Sequence, residues 1–249
     1  MPQLHRAFAL IGLLLLLLLL AQSATAEKLR LVADVWPPFT DATLLNGGLA
    51  TDIVSTALAR AGYASDFEQV PWARALLGVG EGRYDVLVNA WYTDDRTKLG
   101  QFSGEYLLNR VRFLKRKDTP IEYDNLQQLH TYPIAVVRGY AYSPAFDDDV
   151  VLQKVPVHSF SMAVRMVAAD RVKLTLEDEY VARYYLARES TKVRNAVEFL
   201  PKPLSENSLH ILVSLKNPRH EQIVAGFDRE IAAMKVDGSY QQLMKQHGM

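Results

Sequence analysis

From Lys28 to Asn89 the period of the apolar residues keeps switching, and a chain that switches in this way packs as layered α/β structure. Lys28 to Val35 alternates apolar and polar residues, as a strand does, and Trp36-Pro37-Pro38-Phe39 ends it. After Gly47-Gly48, residues Ile53, Val54, Ala57, Leu58 and Ala61 recur at helical spacing, so a helix is predicted over 51–61 with Thr51 or Asp52 as its cap and Gly62 as its end. Ser65 to Val70 reads as a second strand, and Trp72 to Val79 as a short helix opened by Pro71. Tyr84 to Asn89 reads as a third strand.

The middle of the chain repeats this grammar. Residues 106–115 are extended, 126–129 a brief helix, 134–137 and 151–155 strands, 161–169 a helix, 172–176 a strand and 180–188 a helix. Strand 209–215 and the helices 220–234 and 241–246 close the sequence. Two similar halves imply two lobes, and neither a Gly/Ser-rich linker nor a low-complexity run separates them.

The N-terminus has another character. Arg6 precedes the apolar run Ala7 to Leu20, and Ala24-Thr25-Ala26 follows as a small-x-small exit. These are the three parts of a secretory signal peptide, expected to be cleaved after Ala26. A membrane anchor needs about 20 apolar residues, and this run is shorter. Its removal takes one base and no acid, leaving a net charge of −1, too balanced for a nucleic-acid or anionic-lipid surface. The chain has no cysteine, so disulfides, thiolate metal sites and cysteine nucleophiles are excluded. A cleavage site without cysteine also carries no lipid anchor. A free exported protein of this size is expected in a Gram-negative periplasm.

Most catalytic signatures are missing. Gly78, Gly80 and Gly82 form neither a dinucleotide fingerprint nor a phosphate loop, and they read as a helix end followed by a turn. The six histidines show no metal-ligand spacing, and there is no nucleophile elbow. No cofactor is expected.

Four segments, in order along the mature chain, carry a resemblance. They are Leu29-Arg30-Leu31 with Trp36-Pro37-Pro38-Phe39; Gly82-Arg83-Tyr84-Asp85 with Thr93-Asp94-Asp95-Arg96 and Phe102-Ser103-Gly104-Glu105-Tyr106; Asp170-Arg171-Val172 through Leu176-Glu177-Asp178-Glu179; and Met234 to Leu243. Together they resemble the extracellular solute-binding proteins of family 3, the polar amino-acid binders of ABC importers. The resemblance implies a type II periplasmic-binding fold: two α/β lobes joined by two hinge strands, with the ligand in the cleft between them. Its lobes would divide the chain into 27–110, 111–210 and a return to the first lobe over 211–249. It implies a monomer that captures a small polar ligand, an amino acid or related carboxylate, and delivers it to a membrane permease.

By the same resemblance, Arg96 grips the ligand carboxylate, as a planar, permanently charged fork can. An arginine beside Asp94 and Asp95 is also what a solvated surface pair looks like. Asp178 corresponds to the acid that binds the ligand ammonium, although an acid at a helix start can equally be a cap. Trp36 and Trp72 match ligand-contacting positions and could equally be core. Asn89-Ala90-Trp91-Tyr92 stands where small hydroxyl residues are usual, Tyr140 where threonine is usual, and Lys173 where aspartate is common. Asn89, Trp91 and Tyr140 therefore complete the expected site as an altered, aromatic cleft. Two other roles are open to such a chain: a periplasmic dehydratase of the cyclohexadienyl type, with Glu105 or Asp178 as general acid, and a subunit that presents ligand to a membrane receptor.

Overall fold

The structure, a computed structural model, describes residues 28–138, 140 and 142–249, so the expected signal peptide and its cleavage point lie outside the described residues. Strand β1 (Lys28–Ala33) is joined through helix α1 (Leu49–Arg60) to β2 (Ala64–Gln69), and the two strands run parallel. Helix α2 (Trp72–Glu81) leads to β3 (Val86–Trp91), which lies parallel to β1 on its other side. Successive strand residues face opposite layers. Leu29, Leu31, Val86 and Val88 pack with Ile53, Ala57 and Leu58 of α1, while Val32, Leu87 and Ala90 pack with Ala75 and Val79 of α2.

A 3-10 turn (Asp94–Lys98), the short strand β4 (Gly100–Phe102) and the long strand β5 (Leu107–Arg116) lead into the middle of the chain. There β6 (Ile134–Val137), α3 (Pro144–Asp147), β7 (Lys154–Val157), α4 (Phe160–Ala168), β8 (Leu174–Asp178), α5 (Glu179–Leu186) and α6 (Thr191–Ala196) follow. Strand β9 (Val197–Ser214) then returns, and α7 (His220–Asp237) and α8 (Ser239–Gln246) complete the chain. Among the described residues the strands form one hydrogen-bonded path, β2-β1-β3-β9-β5-β8-β6-β7, with β4 also on β9.

The orders β2-β1-β3 and β7-β6-β8 are the same parallel arrangement used twice. The antiparallel pair β5 and β9 carries the path from one to the other. They are bonded from Leu107↔Leu209 to Arg116↔Val197, and β9 then pairs with β3 while β5 pairs with β8 from Val111 onward. The architecture is therefore two α/β lobes joined by two crossing strands, the type II periplasmic-binding fold. No helix among the described residues is long and apolar enough to cross a membrane.

Local departures from the sequence pattern have identifiable causes. Helix α1 starts at Leu49, ahead of the expected 51, and neither Thr51 nor Asp52 caps it. The free N–H groups of Leu49 and Ala50 donate instead to the Pro38 and Phe39 carbonyls at 2.9 and 2.8 Å. That close approach requires Gly48, whose φ is 98° and where a Cβ would lie 2.6 Å from the Phe39 carbonyl oxygen. Helix α2 runs on to Glu81 and ends at Gly82 with φ 77°, a left-handed cap. The strand expected at 151–155 lies at Lys154–Val157, and the one expected at 172–176 is displaced to Leu174–Asp178. Strand β9 begins well before the expected 209, because Pro201, Pro203 and the polar residues after them hide the strand pattern. The ladder to β5 shifts register twice beside those prolines, which have no N–H to give it.

Candidate functional site

The carboxyl ends of β1, β3 and β6 converge on one cavity of about 400 Å³, lined by Asp34, Val35, Trp36, Trp72, Asn89, Trp91, Arg96 and Tyr140. This is where open parallel sheets bind ligands, because loops rather than ladder bonds occupy those ends. Six of the seven residues singled out from the sequence meet there, and they include all three tryptophans of the chain.

Each lining group is positioned by local structure. Past Ala33 the chain turns back on itself: the Trp36 N–H donates to the Thr40 carbonyl at 2.7 Å, and buried Phe39 anchors the turn. The Trp36 ring lies against Phe39, 4.4 Å between centroids, and meets Trp91 edge to face at 5.8 Å. Trp72 opens α2 behind Pro71, whose fixed φ suits that place. Asn89 and Trp91 stand near the end of β3, beside the register shift between Leu87 and Ala90, and both line the cavity. Tyr140 comes from the second lobe, just after β6. Its phenol is raised to about 12, first by burial and next by the carboxylate of Glu177, with Asp34 adding to the effect.

Arg96 sits in the 3-10 turn after β3. Its guanidinium lies over the Trp72 ring, 4.9 Å from the centroid, and one nitrogen donates to the Trp91 carbonyl at 2.6 Å. The two neighbouring acids are engaged elsewhere: Asp95 pairs with Lys98 at 2.8 Å, and Asp94 accepts the Tyr92 hydroxyl at 3.2 Å. Arg96 makes no ion pair among the described residues, and partial burial lowers its pKa. It is a half-desolvated cation held in place without a counter-charge.

Acceptors on the same cavity complement it. Asn89 donates its Nδ2–H to Asp34 Oδ1 at 2.9 Å. A carboxylate only accepts, so this bond fixes the orientation of the amide and turns Asn89 Oδ1 away, buried and without a partner. Asp34 makes no ion pair among the described residues. A buried carbonyl oxygen left unbonded costs about 1–3 kcal/mol.

Asp178 is not part of the cavity wall. It is the last residue of β8 and the cap of α5, and its Oδ1 accepts the N–H groups of Tyr180 and Val181 at 2.9 and 3.0 Å. Its Oδ2 accepts from Asn109 at 3.0 Å, so both oxygens are occupied and only 3% of the residue is exposed. Burial raises its pKa to about 6. Glu105, nominated as a general acid, bonds Ser208 and lines a different depression beside Tyr180 and Tyr240. Lys173 is bonded to Asp170 at 2.8 Å.

Sequence reasoning missed Asp34, which it placed inside the first strand; the strand ends at Ala33, and the acid stands at the mouth of the aromatic turn. It also missed Asn109, which accepts the Trp91 indole N–H at 3.1 Å. The signal was present: Leu107, Asn109, Val111 and Phe113 share one phase of β5, so Asn109 is a polar residue at a buried position.

The family profile of the bacterial extracellular solute-binding proteins, family 3, matches residues 29–249. No curated protein matches the chain. Among solved structures, the L-cystine solute receptor of Neisseria gonorrhoeae, in its unliganded open conformation, is similar at TM-score 0.69 and 20% identity, over 90% of this chain and 93% of that one. An ancestral arginine-binding protein bound to arginine superposes at TM-score 0.64 and 20% identity, over 88% and 97%. An ancestral amino acid-binding protein, a precursor of cyclohexadienyl dehydratase, does so at TM-score 0.62 and 22% identity, over 88% and 94%. At these identities the likeness is one of fold.

Proposed function

The chain belongs to the bacterial extracellular solute-binding proteins, family 3, and from that premise we propose that it captures a small zwitterionic ligand, an amino acid or a close relative, in the cavity between its lobes. The observation that carries this reading is the pairing of an uncompensated cation with uncompensated acceptors on one cavity. Arg96 has no acid partner among the described residues, and Asp34 with Asn89 Oδ1 has no cation. A carboxylate on the Arg96 fork and an ammonium against Asp34 would satisfy both. The ammonium role expected of Asp178 passes to Asp34, because both Asp178 oxygens already accept hydrogen bonds from the fold. Trp36, Trp72, Trp91 and Tyr140 then form an aromatic enclosure for the remainder of the ligand.

In this reading the lobes comprise 27–110 with 211–249, and 111–210, and they close about the crossing strands. The mature protein, cut after Ala26, works as a periplasmic monomer that hands its ligand to the permease of an ABC importer. Binding without turnover is its role. A dehydratase would reveal itself by product formation in the same samples, and a sensory subunit by a receptor partner in place of the permease.

The test is a thermal-shift screen of the mature protein against amino acids, with L-arginine and L-cystine among them. A ligand present at 100 times its Kd should stabilise the fold by about 2.7 kcal/mol. Arg96→Ala should remove that shift while leaving the far-UV dichroism unchanged. Losing one side of a buried charge pair costs about 2–5 kcal/mol, roughly thirty-fold to several-thousand-fold in affinity. Near-wild-type binding by Arg96→Ala would refute the carboxylate assignment.

A further inference from the structure

Two hydrogen bonds meet at Asn109, in the crossing strand β5. The Trp91 indole N–H donates to its Oδ1 at 3.1 Å, and its Nδ2–H donates to Asp178 Oδ2 at 3.0 Å. Trp91 belongs to the cavity wall of the first lobe, Asp178 caps the first helix turn after β8 in the second, and Asn109 is 0% exposed between them. The ladder places this residue at the crossing itself. Leu107 lies opposite Leu209, which in turn lies opposite Trp91 of β3, while β5 pairs with β8 only from Val111 onward.

The chemistry of the relay admits one direction. An indole N–H only donates and a carboxylate only accepts. The group between them must therefore accept on one side and donate on the other, and a carboxamide does so at a fixed spacing. Aspartate at 109 would face the Asp178 carboxylate with a second acceptor, and leucine would leave the Trp91 indole N–H without its acceptor and Asp178 Oδ2 without the Asn109 donor, while Asp178 Oδ1 keeps the N–H groups of Tyr180 and Val181. Asparagine at 178 would keep the helix cap but bring a second donor into the relay, so that one of its two bonds must break.

We propose that Asn109 is a positioning residue of the cavity: its carboxamide fixes the Trp91 indole in the wall and ties that wall, through Asp178, to the second lobe. The two bonds anchor to different lobes, so a rotation of one lobe against the other strains the relay and moves Trp91. The aromatic wall is thereby set by the angle between the lobes. This rests on the proposed function only in taking the cavity as the ligand site.

The three indole N–H groups of the 15N-labelled full chain give three resolvable resonances, and Trp91→Phe identifies one of them. In Asn109→Leu the Trp91 indole N–H should shift and exchange with solvent roughly tenfold faster, the loss of about one neutral hydrogen bond. Trp72, stacked under Arg96 and outside the relay, should stay in place. In Asp178→Asn the Trp91 resonance should also move, although no bond joins the two residues directly. The double variant should move it no further than Asn109→Leu alone. If Asn109→Leu does not fold, Asp178→Asn decides the matter, since it retains a good cap. A Trp91 resonance unmoved by Asp178→Asn, or a Trp72 shift as large as that of Trp91, would overturn the proposal. No ligand enters the measurement, so a failed ligand screen with a moving Trp91 separates this inference from the function on which it rests.

Discussion

Glu177 and Arg96 are both half of a pair, one turned into the protein and one toward the cavity. Glu177 Oε1 accepts the Asp178 N–H at 3.0 Å, while Oε2 is buried with no partner. Burial raises its pKa from 4.5 to about 8, opposed by that one bond and aided by the charge of Asp178. The consequence for stability has a definite sign. Between about pH 5 and pH 8 the native chain holds a proton that the unfolded chain has released, so stability falls as pH rises through that window. Below it both states are protonated, and above it the penalty is constant. Glu177→Gln is neutral at every pH and keeps the acceptor for the Asp178 N–H. It should stabilise the protein at pH 8.5 by on the order of 3–5 kcal/mol and change little at pH 4.5. Thermal melts at both pH values check this, and parallel curves for variant and wild type would count against it.

At the scale of elements, helix α5 shows how one residue type serves two ends. Asp178 closes β8 and starts α5, and its two oxygens divide the work between the helix N–H groups and Asn109. Asp178→Ala removes the cap, worth about 1 kcal/mol, and strands the Asn109 donor, worth about 1–3 more. Asp178→Asn keeps the cap and should lose less. Urea denaturation of the two variants should rank them in that order, and an Asp178→Ala midpoint within error of wild type would contradict the arrangement. The displacement of β8 by two residues from its predicted span decides this role. It puts Glu177 and Asp178 on the strand end, whereas the apolar run Val172 to Leu176 seen alone suggests a loop acid. Strand pairing prevailed over the local pattern: Leu174 to Asp178 lie opposite Lys115 to Val111 of β5.

For the whole molecule the crossing strands are the decisive feature. Among the described residues only β5 and β9 carry the strand path between the two parallel units, so a hinge about them is the motion the proposed function expects. Contacts across the seam are specific: Val181 of α5 is buried in the first-lobe core cluster, and Tyr180 meets Phe39 edge to face at 5.8 Å. Ligand contacts made in one lobe angle only are what drive such a rotation. Solution scattering with saturating amounts of the ligand found by thermal shift should show a smaller radius of gyration than the free protein. Superimposable profiles would mean a rigid site. The C-terminal helices pack on α1 of the first parallel unit, where Arg60 pairs with Asp237 at 2.6 Å and His247 bonds Asp52 at 2.9 Å, and we expect them to move with it.

The alternating periods of Lys28 to Asn89, and their repetition in the middle of the chain, determined the α/β class and the doubling into lobes. Such patterns are local, because each strand or helix must bury one face wherever it packs. Trp36, Trp72, Asn89, Trp91, Arg96 and Tyr140 became legible as candidates through the resemblance of short segments to the family, since periodicity marks no residue as a ligand contact. Tertiary structure alone decided which charges are spent and which are free. Among the described residues Arg96 lacks an acid partner because Asp94 and Asp95 turn to Tyr92 and Lys98, and Asp178 is occupied because β5 brings Asn109 against it. Those pairings join residues far apart in sequence or depend on side-chain direction, and hydrophobic periodicity carries no information about either.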